Sequence, residues 1–199
     1  MPTGPGGLDS NGIWQFGEDN SEALASDLLN LGMGSVSDAF TNLAGVLQVV
    51  SVTKTDTFTG SVAADAEATI TGLSANITPV STNSKIYVQV AVAVGESGSS
   101  TLHTFNVLRG GTPVGLPDAA GNRGRRTFGG NASSVQGIGS SSASFMDTPS
   151  STSEQTYSVT VGHTSGSSAT VYINRSEDDS DLERRPRGIS TITLMEVAG

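Results

Sequence analysis

The sequence predicts a mainly β protein, an antiparallel β-sandwich or jelly roll of about 8–10 strands, carried on a short N-terminal helical stalk. Three observations lead there. Ser, Thr and Gly number 29, 22 and 25 of the 199 residues, against 15% charged and 5% aromatic. Branched Thr suits a pleated surface while Gly and Ser suit connections, so this composition reads as many short strands joined by turns. From about Val46 the apolar residues recur in strand-sized patches of period two with no helical run between them, the pattern of an all-β sandwich. Charge also divides the chain: residues 1–53 hold six acids and no Lys or Arg, whereas eight of the ten basic residues are Arg from Arg109 onward.

Several classes are excluded by count alone. A chain of 199 residues holds one ordinary domain and an appendage. The net charge of -9 would repel a phosphate backbone or an anionic membrane, so no nucleic-acid partner is expected. The lack of cysteine removes disulfides, thiolate zinc sites and thiol nucleophiles, and two His are too few for a histidine-rich metal site. No apolar run approaches the roughly 20 residues of a membrane span, and no membrane insertion is expected. Residues 1–20 lack the basic-then-apolar order of a signal peptide.

Residues 2–12, with two Pro and four Gly, suit an extended arm over 1–19. Ile13, Trp14 and Phe16 follow, and Trp14 is the single Trp of the chain. Such a pair either tucks onto its own domain or serves as a docking anchor, since Trp dominates interface energetics. The segment 20–48 reads as helical. Asn20 or Ser21 can cap it, Glu22 sits in the first turn, and Ala23, Leu24, Leu28 and Leu31 follow at helical spacing. Gly32 and Gly34 interrupt; Ser35 can cap a second segment whose Val36, Phe40, Leu43 and Leu47 fall at steps of four, three and four. Helices this short are marginal alone. They lie either on the β-domain of their own chain or in a bundle with identical chains.

The β-domain is expected over 49–199. Its strand candidates are 46–52 leading into 53–59, then 68–73, 74–80 stopped by Pro79, and 85–94, whose two apolar faces suggest a central strand buried on both sides. Residues 101–109 alternate, with His103, Phe105 and Val107 on one face. Residues 112–154 are least regular, with short candidates at 126–128, 134–138 and 143–147 inside Gly/Ser loops. Regularity returns at 155–163, 169–174 and 189–197, and a charged loop fills 175–187.

No catalytic constellation emerges, and no enzyme activity, cofactor or metal is expected. The acids cluster in loops rather than in apolar strand contexts that would raise a carboxyl pKa. His103 and His163 alternate within strands, and no GxSxG turn accompanies them. The run 177–183 offers oxygen ligands for Ca²⁺ but lacks the EF-hand glycine, so it reads as a solvated charge run. Arg123, Arg125 and Arg126 form an electropositive loop suited to pairing with acids of the same or a neighbouring chain. Asn76, Asn131 and Asn174 each open a glycosylation triplet.

The order of parts resembles minor tail proteins and short tail fibres of tailed bacteriophages, especially those of actinobacterial phages. The resemblance is carried by Gly12-Ile13-Trp14, an acidic stretch, and the helical segment Leu28-Leu-Asn-Leu-Gly32 with Ser35-Val-Ser-Asp-Ala39. It continues through the turn 77–82 and Ser84-Lys-Ile86, then Phe105-Asn-Val-Leu-Arg-Gly110, Val171-Tyr-Ile-Asn-Arg-Ser176 and Ile192-Thr-Leu-Met-Glu-Val197. It implies a virion component, most readily of the tail, assembled in the host cytoplasm. Ile13, Trp14 and Phe16 would fasten it to other virion proteins, and a homotrimer seam would run through Leu24, Leu28, Leu31, Val36, Phe40, Leu43 and Leu47. A jelly-roll head would meet a bacterial surface glycan or protein through loops bearing Arg123, Arg125, Arg126, Asp178, Asp179, Asp181, Arg184 and Arg185. The chain departs from the family in having almost no shaft, which leaves open a capsid decoration or head-fibre protein of the same architecture. A secreted lectin-like module would share the head without a docking arm.

Overall fold

The computed structural model describes residues 45–96, 102–132 and 134–199, together with the strands β1 (Gly7–Leu8) and β2 (Trp14–Gln15). The chain divides into two compact units, Met1–Gly45 and Val46–Gly199. In the first, β1 and β2 pair antiparallel with Leu8 opposite Trp14. Residues 20–44 of the expected helical stalk, with Leu24, Leu28, Leu31, Val36, Phe40 and Leu43, lie outside the described residues, as do Ile13 and Phe16.

The second unit holds eleven strands among the described residues, one more than the upper count expected. They are β3 (Val46–Lys54), β4 (Phe58–Val62), β5 (Glu67–Ile77), β6 (Lys85–Gly95), β7 (His103–Arg109), β8 (Thr112–Val114), β9 (Phe128–Gly130), β10 (Ile138–Asp147), β11 (Gln155–His163), β12 (Ala169–Ile173) and β13 (Ser190–Val197). All pairs are antiparallel. One sheet runs β3-β13-β6-β12-β4 with β10 on the other side of β6; the second runs β5-β11-β7-β8 with β9 also on β7.

Alternation explains the layering, because successive side chains point to opposite faces of a strand. On β6, Ile86, Val88, Val90, Val92 and Val94 are fully buried. They share one core with Tyr157, Val159 and Val161 of β11, Phe105 and Val107 of β7, and Ile192 and Leu194 of β13. The Phe105 and Phe128 rings stack there with centroids 4.8 Å apart. Each such aliphatic or aromatic side chain contributes roughly 1.5–3 kcal/mol by leaving water.

Four expectations need correction. Residues 46–48 are strand rather than the end of a helix: Gln48 pairs with Glu196 and Val46 with Val197, so Leu47, the last position of the expected seam, is the extra residue of a bulge. The candidates 68–73 and 74–80 merge into one strand, β5, which ends at Ile77; its residues 70–73 span what Val159 alone spans on β11, and Gly72 turns there at φ +82°. The irregular stretch hides the ten-residue β10, paired with β6 from Ile138 to Asp147, and the short β8. Finally, β6 is central in its sheet but buried on one face over most of its length, since Lys85 and Gln89 are exposed.

The sandwich has two distinct ends. Val46, Val197 and Lys85 lie side by side at the proximal end, where the chain enters the unit. At the distal end Lys54 pairs with Ser190, Gly95 with Ile138, and His103 with both His163 and Gly130. The connections 164–168 and 174–189, and the described residues of 131–137, therefore cluster distally.

Candidate functional site

The largest distal feature is the lobe 174–189, and its base is built around Asn174. This residue is fully buried and adopts φ +62°, a left-handed conformation that Asn tolerates better than most residues. Its Nδ2 donates to the carbonyls of Lys54 and Asp56, both at 2.9 Å, while its Oδ1 accepts from the Ser190 hydroxyl at 2.6 Å. Its backbone N–H reaches the Ala93 carbonyl, and its own carbonyl accepts from Gly188 N–H. One residue thus ties the start and end of the lobe to β3 through its side chain and to β6 through its backbone.

Arginine–carboxylate pairs then fix the lobe internally. Arg187 grips Asp179 with Nε at 3.0 Å and Nη2 at 2.6 Å, a bidentate fork. Arg185 meets Asp178 with Nε and Nη2 at 2.6 Å each. Arg175 caps the carbonyls of Ser176 and Glu177 and lies 5.3 Å from the centre of the Tyr172 ring. The Arg187 bond holds the Asp179 carboxyl below its ordinary pKa, and Arg185 does the same for Asp178. The backbone N–H of Asp178 also bonds the Val135 carbonyl, joining the lobe to the 131–137 loop.

An open hollow of about 380 Å³ results, lined by Asp179, Ser180, Asp181, Leu182, Arg185 and Arg187. Asp181, Glu183 and Arg184 are exposed. The rim offers carboxylate, hydroxyl and guanidinium groups with one aliphatic side chain, the mixture that binds hydroxyl-rich ligands by hydrogen bonds. Among the described residues no three His, Asp or Glu side chains converge where a metal ion could sit.

The structure separates the expected receptor-facing residues into two places. Asp178, Asp179, Asp181, Arg184 and Arg185 belong to the distal lobe. Arg123, Arg125 and Arg126 lie instead in the 115–127 connection between β8 and β9, on the flank of the second sheet. Arg126 reaches the Glu67 carboxylate at 3.3 Å, and Glu67 is also bonded by Asn106 and Thr160 on the outward face of that sheet. Arg125 Nε donates to the Pro117 carbonyl and Arg123 Nη1 to that of Ala120. Leu47, in β3, is part of neither place, and Trp14 belongs to β2 of the first unit.

Beneath the distal loops His103 and His163 pair across β7 and β11. His163 Nδ1 accepts from Ser165 N–H, so Nε2 carries the proton and donates to the Val62 carbonyl at 2.8 Å. His103 is fully buried with neither ring nitrogen hydrogen-bonded. Burial, only partly opposed by Asn131, pushes its pKa down to about 4.

Sequence reasoning missed Asn174 as a hub: it marked the residue only as a glycosylation triplet, which burial closes to modification. It also missed Glu196, a fully buried carboxylate inside an apolar strand. Burial alone would raise Glu196, but hydrogen bonds from the Gln48 side chain and Val80 N–H hold it below the usual range. A lone acid alternating with apolar residues in 192–197 was the available signal.

No family model matches the chain, and no curated protein shows significant similarity to it. Among solved structures the chain is similar to that of infectious bursal disease virus Gt strain, at 17% identity and TM-score 0.38 over 76% of this chain and 38% of that one. The Gx strain of the same virus gives 14% identity and TM-score 0.36 over 76% and 38%. Eiger TNF from S. frugiperda gives 12% identity and TM-score 0.33 over 75% of this chain and 93% of that one. The chain spans 38% of the length of the two virus chains. Likenesses this distant do not assign it to either family.

Proposed function

We propose that this chain is a structural virion protein, a homotrimeric phage tail fibre or minor tail protein whose β-head meets the host surface through its distal loops. The observation that carries this reading is the polarity of the head. Its chain enters at the proximal end beside Val197 and Lys85, while the strand ends Gly95, His103 and Gly130 and the long connection 174–189 gather at the other. A protein fastened at its N-terminus would present those loops outward. The strand orders β3-β13-β6-β10 and β5-β11-β7-β8 support the jelly-roll form of the sandwich, two Greek keys facing each other. The sequence motifs shared with short tail fibres support the virion assignment.

In this reading the hollow on the distal lobe takes a hydroxyl-rich surface glycan. Asp181 and Ser180 supply acceptors and a hydroxyl, and the arginines keep the rim in shape. Each site is weak, and three heads on one stalk raise the effective affinity by avidity. Trp14 anchors the arm to the virion.

Replacement of residues 177–186 by a short Gly-Ser bridge tests the reading in the full chain. The variant should keep the melting transition and solution mass of the wild type yet lose binding to host cells. Binding undiminished by the bridge would overturn it. Full infectivity of a phage carrying the bridge would point to capsid decoration instead.

A further inference from the structure

We infer that the outward face of the β3-β13-β6-β10 sheet packs against a second copy of this chain. The two outward faces of the sandwich differ in kind. That of the second sheet carries the Arg126 side chain of the 115–127 connection, which reaches Glu67 on β5. Among the described residues nothing covers the centre of the first sheet, where Gln89, Ser142 and Ser144 are exposed.

Strand register arranges this bare face in rows. Val49, Met195, Tyr87 and Met146 stand side by side across the four strands near the proximal end. Val49 is 54% and Met146 48% exposed, so this apolar row faces water in a lone chain. The next row, Ser51, Thr193, Gln89 and Ser144, is polar but uncharged. Beyond it Ala91 and Ser142 keep the relief low, which permits close approach of another surface. Lys85, at the proximal rim, is the one charged side chain among the described outward positions of these four strands.

Charge selects the occupant. Two copies of a chain with net charge -9 repel each other wherever their acids meet, and a neutral face is where they can touch without desolvating like charges. A glycan or a basic partner would need aromatic platforms or carboxylates, and the face offers Tyr87 alone of these. Its planar extent, four strands by about eight residues, is roughly 19 by 26 Å. That is about 490 Å² in projection, more than half of the roughly 800 Å² of accessible surface that one side of a standard protein interface buries. The inference rests on the self-association proposed above, but not on attachment to a host.

The full chain has no cysteine, so single thiols report the face cleanly. Light scattering should give a multiple of the 20.2 kDa chain mass. Under the same conditions Gln89→Cys and Ser142→Cys should react with a maleimide about tenfold more slowly than Ser74→Cys on the second sheet, because labelling then waits on dissociation. A Gln89→Cys variant that turns monomeric while keeping its melting transition supports the inference equally. A monomeric wild type overturns it. Equal labelling rates in an intact oligomer overturn it too and leave self-association to residues before Val46. Slow labelling in a monomer assigns the cover to the chain's own N-terminal residues. Host-cell binding is absent from these readouts, so the attachment proposal can fail while this one stands.

Discussion

Asn174 shows how much one polar side chain can hold when it is buried and fully bonded. Substituting Ala removes three side-chain hydrogen bonds, orphans the Lys54 and Asp56 carbonyls, and forces a less tolerant residue to φ +62°. Orphaned buried groups and a left-handed backbone together cost about 3 kcal/mol. Thermal unfolding of Asn174→Ala should show that loss, and a loss of less than about 1 kcal/mol would refute the hub. His103 gives the chain an acid-sensitive point of a different kind. Its folded pKa, about 4, lies below the ordinary histidine value of 6.5. The unfolded chain therefore takes up a proton that the folded chain refuses. Stability is complete above pH 6.5, falls as the pH drops towards 4, and loses about 3 kcal/mol across that window. Melting curves at pH 7, 5.5 and 4.5 should follow this slope, and His103→Leu should flatten it. Neither residue was legible as such in the sequence, because a buried hydrogen-bonding hub and a desolvated imidazole differ from surface residues only in what folds around them.

Strands with branched or aromatic alternation were legible: β11, β12 and β13 match the periodic runs, because Val, Ile and Tyr every second residue leave one arrangement that buries them. β10 was not. Its centre, residues 140–144, is four Ser and an Ala, with no propensity or period of its own, and it becomes a strand by pairing along the full length of β6. The 174–189 lobe was found as a charged loop, but its internal ion pairs depend on a turn that no charge pattern reveals. Its seat on the sandwich makes a specific demand on β6. A Cβ at Gly95 would collide with the Arg175 carbonyl and press on Cβ of Tyr172. Gly95→Ala should cost about 2 kcal/mol through overpacking. It should also loosen the lobe before the rest of the sandwich, so hydrogen exchange at Asp178 N–H should quicken while that at Val90 N–H stays protected.

The sheets also fix where the β-head begins, a point on which composition alone was misleading. The change of period near Val46 was visible, yet the heptad-like step to Leu47 drew the boundary to residue 49. The register argues otherwise, since Gln48 Nε2 on β3 donates to one oxygen of the buried Glu196 carboxylate, and Val80 N–H donates to the other. Removing residues 46–48 takes one partner from a buried charge and exposes the proximal end of β13. A piece starting at Val46 should therefore melt as one cooperative unit, while one starting at Val49 is weaker by about 2 kcal/mol. For a domain of this size that is a melting point lower by about 4–8 °C. Glu196→Gln should narrow the gap, because the neutral amide lacks the charge that Gln48 satisfies. Equal melting points for the two pieces would mean that the sandwich proper starts later than its register indicates, and that Gln48 and Leu47 are free to serve the stalk.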